Sequence, residues 1–315
     1  MTLACVFPGQ GSQSVGMLAE LAAQHPLIKR TFAEASAALD YDLWQRVSAG
    51  PAEDLNATEC TQPAMLTAGV ATWRLWQEQG GAVPALVSGH SLGEFTALVC
   101  AGTLDFGAAV TLVRDRGRYM QAAVPAGGGG MAAILGFDDA AAEAACAEAA
   151  QAEVVEPVNS NAPGQIVIAG QAGAVERAIA AAKARGAKRA VLLPVSVPAH
   201  SSLMQNAAAQ LRERLAGLSF APPRIAYLSA VDAQLHEDPE EIRSLLVRQL
   251  ASPVRWSAAV LALTARGANV LLECGPGKVL TALNRRIERR AEITCLAIED
   301  QASLSAALAA TGSAT

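Results

Sequence analysis

Among the residues able to do chemistry, the densest group is Gly89-His90-Ser91-Leu92-Gly93-Glu94. A serine between two glycines, placed after an apolar run and before an apolar helical pattern, has the context of a nucleophile elbow. The glycines permit a tight turn that projects the serine hydroxyl from the end of a sheet. The backbone N–H of Leu92, at the helix start, faces the same point, ready to stabilise an oxyanion. The plainer reading is an ordinary strand-to-helix turn; the strand–turn–helix order favours the elbow. A serine hydroxyl also needs a base, and the chain has four histidines. His25 precedes a proline in a polar stretch, and His236 lies in the acidic run Leu235-His236-Glu237-Asp238. His90 neighbours the serine at a tight turn, so its side chain should point elsewhere. His200 remains, in the proline-punctuated loop Pro194-Val195-Ser196-Val197-Pro198-Ala199-His200-Ser201. It follows the serine in sequence, the order of α/β hydrolases.

Arg116 is the second informative residue. Asp105 can cap a helix running through Met120, on which Phe106, Ala109, Val110, Val113 and Met120 share an apolar face that also holds Arg116. A guanidinium facing inward is costly unless it meets a carboxylate. That carboxylate is either an internal acid or an anionic substrate, for which a planar bidentate fork is suited. Phe7-Pro8-Gly9-Gln10-Gly11-Ser12-Gln13 is open in the same way. It is either a turn into a helix near 15–22 or a loop lending an N–H to the active site.

Short apolar runs alternating with helical patterns must position these groups. Strands are expected over 3–7, 85–88 and 269–274, with a helix over 92–101, which implies a parallel, helix-covered sheet. After the run Gly127-Gly128-Gly129-Gly130, a candidate hinge, the rhythm changes. Strand 131–135, helix 138–150, strands 154–159 and 166–169, helix 173–185 and strand 189–195 give β-α-β-β-α-β, the split βαβ of ferredoxin-like domains. The expected architecture is therefore an α/β catalytic domain formed by 1–125 and 197–315, with a ferredoxin-like subdomain inserted at 126–196. Helices return at 203–215, closed by Gly217, and at 240–250. The tail from about Gly312 should fray.

Composition narrows the partners. The 315 residues carry a net charge of −5 with no dominant basic cluster, which disfavours nucleic acid. No stretch is long and apolar enough to span a membrane, and the N-terminus lacks the basic region of a signal peptide. Six cysteines without paired spacing read as buried thiols of a reducing, cytoplasmic compartment, and no metal site is expected. The run Arg285-Arg286-Ile287-Glu288-Arg289-Arg290 reads first as a solvated helix face and second as a dock for an acidic partner. Without an exposed heptad or edge signal, the default state is a monomer.

These features together resemble the bacterial malonyl-CoA:acyl carrier protein transacylases of fatty acid synthesis, over nearly the whole chain. The likeness rests on Phe7–Gln13, Thr61-Gln62-Pro63-Ala64, Gly89–Glu94, Arg116-Gly117, Asn161-Ala162-Pro163-Gly164-Gln165 and 195–201. It continues through Gln249-Leu250, Pro253-Val254-Arg255-Trp256 and Glu273-Cys274-Gly275-Pro276-Gly277. The resemblance implies a hydrolase-like domain with a ferredoxin-like insert, and a role at each position. Ser91 becomes the acylated nucleophile and His200 its base and later acid. The amides of Gln10 and Leu92 form the oxyanion hole, and Gln10 and Gln62 line the substrate pocket. Arg116 clamps the malonyl carboxylate, and the backbone carbonyl of Gln249 orients His200. Asn161 and Gln165 belong to the rim near the carrier arm. Malonyl-CoA and the phosphopantetheine thiol of acyl carrier protein are the implied substrates, with no bound cofactor. The chain departs from the family pattern at Ser229-Ala230-Val231-Asp232, Ala251 and Ala199, changes that bear on the acyl pocket and the carrier preference. The competing readings are a discrete acyltransferase serving a polyketide synthase, a serine thioesterase or esterase, and a silent carrier-binding protein.

Overall fold

A computed structural model describes residues 1–195 and 197–312. Ser196, part of the 195–201 motif and the end of the expected insert, and the tail at 313–315 lie outside the described residues. Ten strands are described: β1 (Leu3–Phe7), β2 (Leu86–Gly89), β3 (Gly129–Leu135), β4 (Val155–Ala162) and β5 (Gln165–Gln171), followed by β6 (Arg189–Leu192), β7 (Ala226–Leu228), β8 (Leu235–His236), β9 (Val270–Cys274) and β10 (Thr294–Ile298).

Two sheets divide them. The larger has the order β10-β9-β1-β2-β7-β8 and is parallel except where β8 turns back on β7. β1 and β9 are buried along their whole length, the pattern of strands covered by helices on both faces. The smaller has the order β4-β5-β3-β6 and is antiparallel throughout. With helices Asp139–Ala150 and Ala172–Ala184 between its strands, it is the ferredoxin-like unit expected from the sequence.

The expected strands 3–7, 85–88 and 269–274 correspond to β1, β2 and β9. Several details differ. Gly129 and Gly130 are not hinge residues: they open β3, paired with Gln171 and Gly170. The last strand of the insert ends at Leu192, short of the expected 195. The first helix runs over Ala19–Gln24 rather than near 15–22, because Gly16 and Leu18 take positive φ, at 87° and 60°, and keep the chain turning until that point. The helix expected over 203–215 starts at Gln205, after a 3-10 turn over Ser202–Met204.

The site depends on three further helices. Thr58–Glu78 is buried along most of its length and carries Gln62 inward. Phe106–Ala122 starts where the Asp105 side chain accepts a hydrogen bond from the Ala108 N–H at 2.9 Å, and it buries Arg116 with its apolar stripe. Pro239–Gln249 begins with Asp238 accepting from the Glu240 and Glu241 amides and ends on Gln249, fully inside.

Candidate active site

Ser91 sits between the end of β2 and helix Gly93–Cys100 with φ at 53°. The turn is tight enough to exclude side chains on either side. A Cβ on Gly89 would lie 1.9 Å from the carbonyl carbon of Gly93, and one on Gly93 would lie 2.0 Å from the Phe7 oxygen. The His90 N–H donates to the Phe7 carbonyl at 3.0 Å, which ties the elbow to β1.

Ser91 Oγ is 2.7 Å from His200 Nε2, and His200 Nδ1 is 2.8 Å from the Gln249 carbonyl oxygen. A carbonyl only accepts, so Nδ1 carries the proton and Nε2 is left as the acceptor facing the serine hydroxyl. This is the arrangement a general base requires. His200 has φ at 68°, and its N–H donates to the Leu250 carbonyl at 3.2 Å. Burial, and then the positive charge of Arg116, push the imidazole down to about 3, so the resting ring is neutral. The loop is also tied down two residues further on: Glu156 accepts from the Ser202 N–H at 2.7 Å and from its hydroxyl at 2.8 Å, linking β4 to the histidine loop.

Arg116 is 1% exposed. Its hydrogen-bond partners among the described residues are uncharged: Nη1 donates to Gln62 Oε1 at 2.9 Å, and Nη2 to Gln249 Oε1 at 3.0 Å and Ser91 Oγ at 3.4 Å. Nε has no partner among the described residues. Burial lowers the guanidinium to about 10, which leaves it charged at neutral pH. Gln62 is held in turn by Met120, whose sulfur lies 3.1 Å from Gln62 Nε2. Of the two partners weighed from the sequence, the internal acid is one residue removed: Glu94 reaches Arg116 through the Gln249 side chain.

A cavity of about 490 Å³ brings Gln10, Gln62, Ser91, Leu92, Arg116 and His200 to one surface. Neither the Gln10 nor the Leu92 N–H has a partner among the described residues. Asn161 also lines the cavity and lies 2.8 Å from His90 Nε2. Gln165 does not reach it. It accepts from Arg286 and lines a shallow depression that joins the cavity at Val279 and Leu283. The arginines of the 285–290 run are exposed, as a solvated face requires, and three of them also bond within the chain: Arg285 donates to the Cys295 carbonyl, Arg286 to the Pro163 carbonyl, and Arg290 pairs with Glu288 at 2.7 Å.

Sequence reasoning gave Gln249 only a backbone role and Glu94 none. Both are buried, and both belong to the network behind Arg116. The available signal was Glu94 itself, an acid in the otherwise apolar window after Ser91. Among the described residues, no group of three or more metal-binding side chains is placed to hold an ion, and no helix is long and apolar enough to cross a membrane.

The acyl transferase domain model matches residues 4–313. The malonyl CoA-acyl carrier protein transacylase of Salmonella typhimurium is 57% identical over 97% of this chain and 98% of its own length. The chain belongs to this transacylase family. The likeness extends to distant members: the Bacillus subtilis transacylase is 42% identical over 97% of the chain and 96% of its own. An acyl carrier protein S-malonyltransferase from Vibrio cholerae, 56% identical, superposes with a TM-score of 0.93 over 97% of this chain and 99% of that one. A malonyl-transacylase solved in complex with its type II PKS acyl-carrier protein is 52% identical, with a TM-score of 0.96 over 98% and 100% of the two chains. Their shared architecture is the one seen here, a parallel sheet joined to a smaller antiparallel one.

Proposed function

We propose that this transacylase moves a malonyl group from coenzyme A to the phosphopantetheine thiol of an acyl carrier protein through an ester on Ser91. His200 Nε2 takes the Ser91 proton as Oγ attacks the thioester carbonyl. The resulting oxyanion faces the Leu92 and Gln10 N–H groups, each worth on the order of 3 kcal/mol when well placed. As the C–S bond breaks, His200 returns the proton to the departing thiolate. The carrier thiol then enters, loses its proton to His200, attacks the ester, and Ser91 regains its hydrogen. Both substrates bring their own thiol, so the scheme calls for no bound cofactor. The four-stranded sheet, as an inserted subdomain at about 126–196, would wall the cavity and supply Asn161.

The observation that carries this reading is the guanidinium of Arg116, buried beside the nucleophile with only uncharged hydrogen-bond partners among the described residues. An acyl group ending in a carboxylate supplies a directly bonded anion and is fixed in pose by the fork. A neutral ester supplies nothing, which argues against an esterase. Intact-protein mass spectrometry after brief mixing with malonyl-CoA tests it. Wild type should gain one malonyl group and Ser91→Ala none; coenzyme A release with no adduct would favour a hydrolase. The relative bound to a type II polyketide carrier protein supports a second reading with the same chemistry and a polyketide carrier in place of the fatty acid one. Competition between the two carriers for the malonyl-enzyme distinguishes them.

A further inference from the structure

Glu94 is 1% exposed, and the acyl-transfer scheme makes no use of it. Its Oε1 accepts from the Tyr227 hydroxyl at 2.7 Å, the Ser229 hydroxyl at 2.7 Å and the Ala230 N–H at 2.8 Å. Its Oε2 accepts from Gln249 Nε2. The same Nε2 donates to the Ser91 carbonyl at 2.8 Å, while Gln249 Oε1 accepts from Arg116 at 3.0 Å. Ser229 and Ala230 belong to the stretch where the sequence departs from the family pattern, so that departure falls on the cradle of this carboxylate.

The polarity of the chain of bonds is fixed at both ends. Arg116 only donates, so it requires the oxygen of the Gln249 amide; the Ser91 carbonyl only accepts, so it requires the nitrogen. The nitrogen then needs a second acceptor, and Oε2 of Glu94 is that acceptor. The Ala230 N–H makes the same demand on Oε1. Burial pushes the carboxyl up, while the donors from Gln249, Tyr227, Ser229 and Ala230 pull the other way and favour the anion.

From this geometry we propose that Glu94 is the positioning residue of the site, acting through the Gln249 side chain to hold the Arg116 fork and the Ser91 elbow in register. The inference rests on the malonyl-transfer reading, because Arg116 is assigned there to the acyl carboxylate. Glu94→Gln keeps the size and removes the second acceptor. With its oxygen kept on Ala230, the new amide turns an N–H toward Gln249 Nε2. Flipping Gln249 would oppose N–H to Arg116 and oxygen to the Ser91 carbonyl. With the amide oxygen held by Ala230, the Gln249 side chain is expected to leave its place.

The test compares wild type, Glu94→Gln, Gln249→Ala and the double variant by acylation with malonyl-CoA and acetyl-CoA, together with Tm. Glu94→Gln should lower the malonyl rate at least tenfold and the malonyl-to-acetyl ratio at least fivefold. It should add less than twofold in the Gln249→Ala background, since coupled residues are not additive. Equal losses for both acyl groups, or additive effects in the double variant, would overturn the proposal and leave a structural role. If Glu94→Gln does not fold, Gln249→Ala carries the test alone, and an unchanged malonyl-to-acetyl ratio there overturns it. A substrate-free crystal structure of Glu94→Gln separates this proposal from the assigned activity: Gln249 displaced supports the positioning role, and Gln249 unmoved ends it, whatever the substrate proves to be.

Discussion

Arg116 Nη2 lies 3.4 Å from Ser91 Oγ, so the site's buried positive charge touches the proposed nucleophile. Arg116→Ala should lower kcat/KM for malonyl-CoA roughly 100-fold, about 2.7 kcal/mol, as expected for hydrogen bonds to a charged group. The loss for acetyl-CoA should be far smaller. Parallel kinetics with the two thioesters check it, and equal losses would remove the carboxylate clamp.

The same proximity sets a pH dependence. A cation near an imidazole disfavours its protonated form, and here burial and Arg116 both lower His200, to about 3. Base function is lost as pH falls through the histidine value, so the acid limb of kcat/KM, which reports the free enzyme, should lie well below the ordinary histidine range. Malonate paired with Arg116 cancels part of the field and raises His200, so the acid limb of kcat should lie higher than that of kcat/KM. In Arg116→Gln the kcat/KM limb should also rise. Profiles of both parameters across the acid range decide this; coincident limbs would mean Arg116 does not act on His200.

Glu156 holds the histidine loop from the small sheet through two bonds to Ser202. Glu156→Ala should lower kcat about tenfold while KM for malonyl-CoA changes little, since bonds to a charged acceptor are worth ~1.5–3 kcal/mol and none touches the substrate. An unchanged kcat would show that His200 is fixed by the Leu250 and Gln249 carbonyls alone.

The elbow leaves no room for a methyl group at position 93, where a Cβ would lie 2.0 Å from the Phe7 oxygen. Gly93→Ala should destabilise the fold by ~3 kcal/mol through overpacking as well as abolish the acyl-enzyme. Thermal unfolding is the check; a wild-type Tm would mean that the strand end yields more easily than its hydrogen bonds suggest.

Much of this site was legible in the sequence because its signals are local. Ser91 is announced by glycines two positions to either side, Arg116 by the helical period of its own helix, and His200 by the poverty of alternatives. The two sheets follow from the change of rhythm after Gly130. What stayed hidden depends on approach between distant segments. Gln249 meets Glu94 across 155 positions and Ser91 across 158, and nothing in its local pattern says that an amide at the end of a helix becomes buried and makes three hydrogen bonds. The early turn at Gly16–Leu18 was missed because a leucine at positive φ has no sequence signature.

Ser91 and His200, whose side chains meet at 2.7 Å, both stand on left-handed backbone, at φ of 53° and 68°. A residue with a Cβ is held there at a cost of ~1–3 kcal/mol, and glycine would be at ease in either place. The proposed nucleophile and base are thus two of the six described residues that carry a side chain at positive φ, the positions where drift toward a tougher protein would favour glycine. A lineage freed from the need for this reaction should lose its nucleophile and base early, becoming harder to melt as it falls silent.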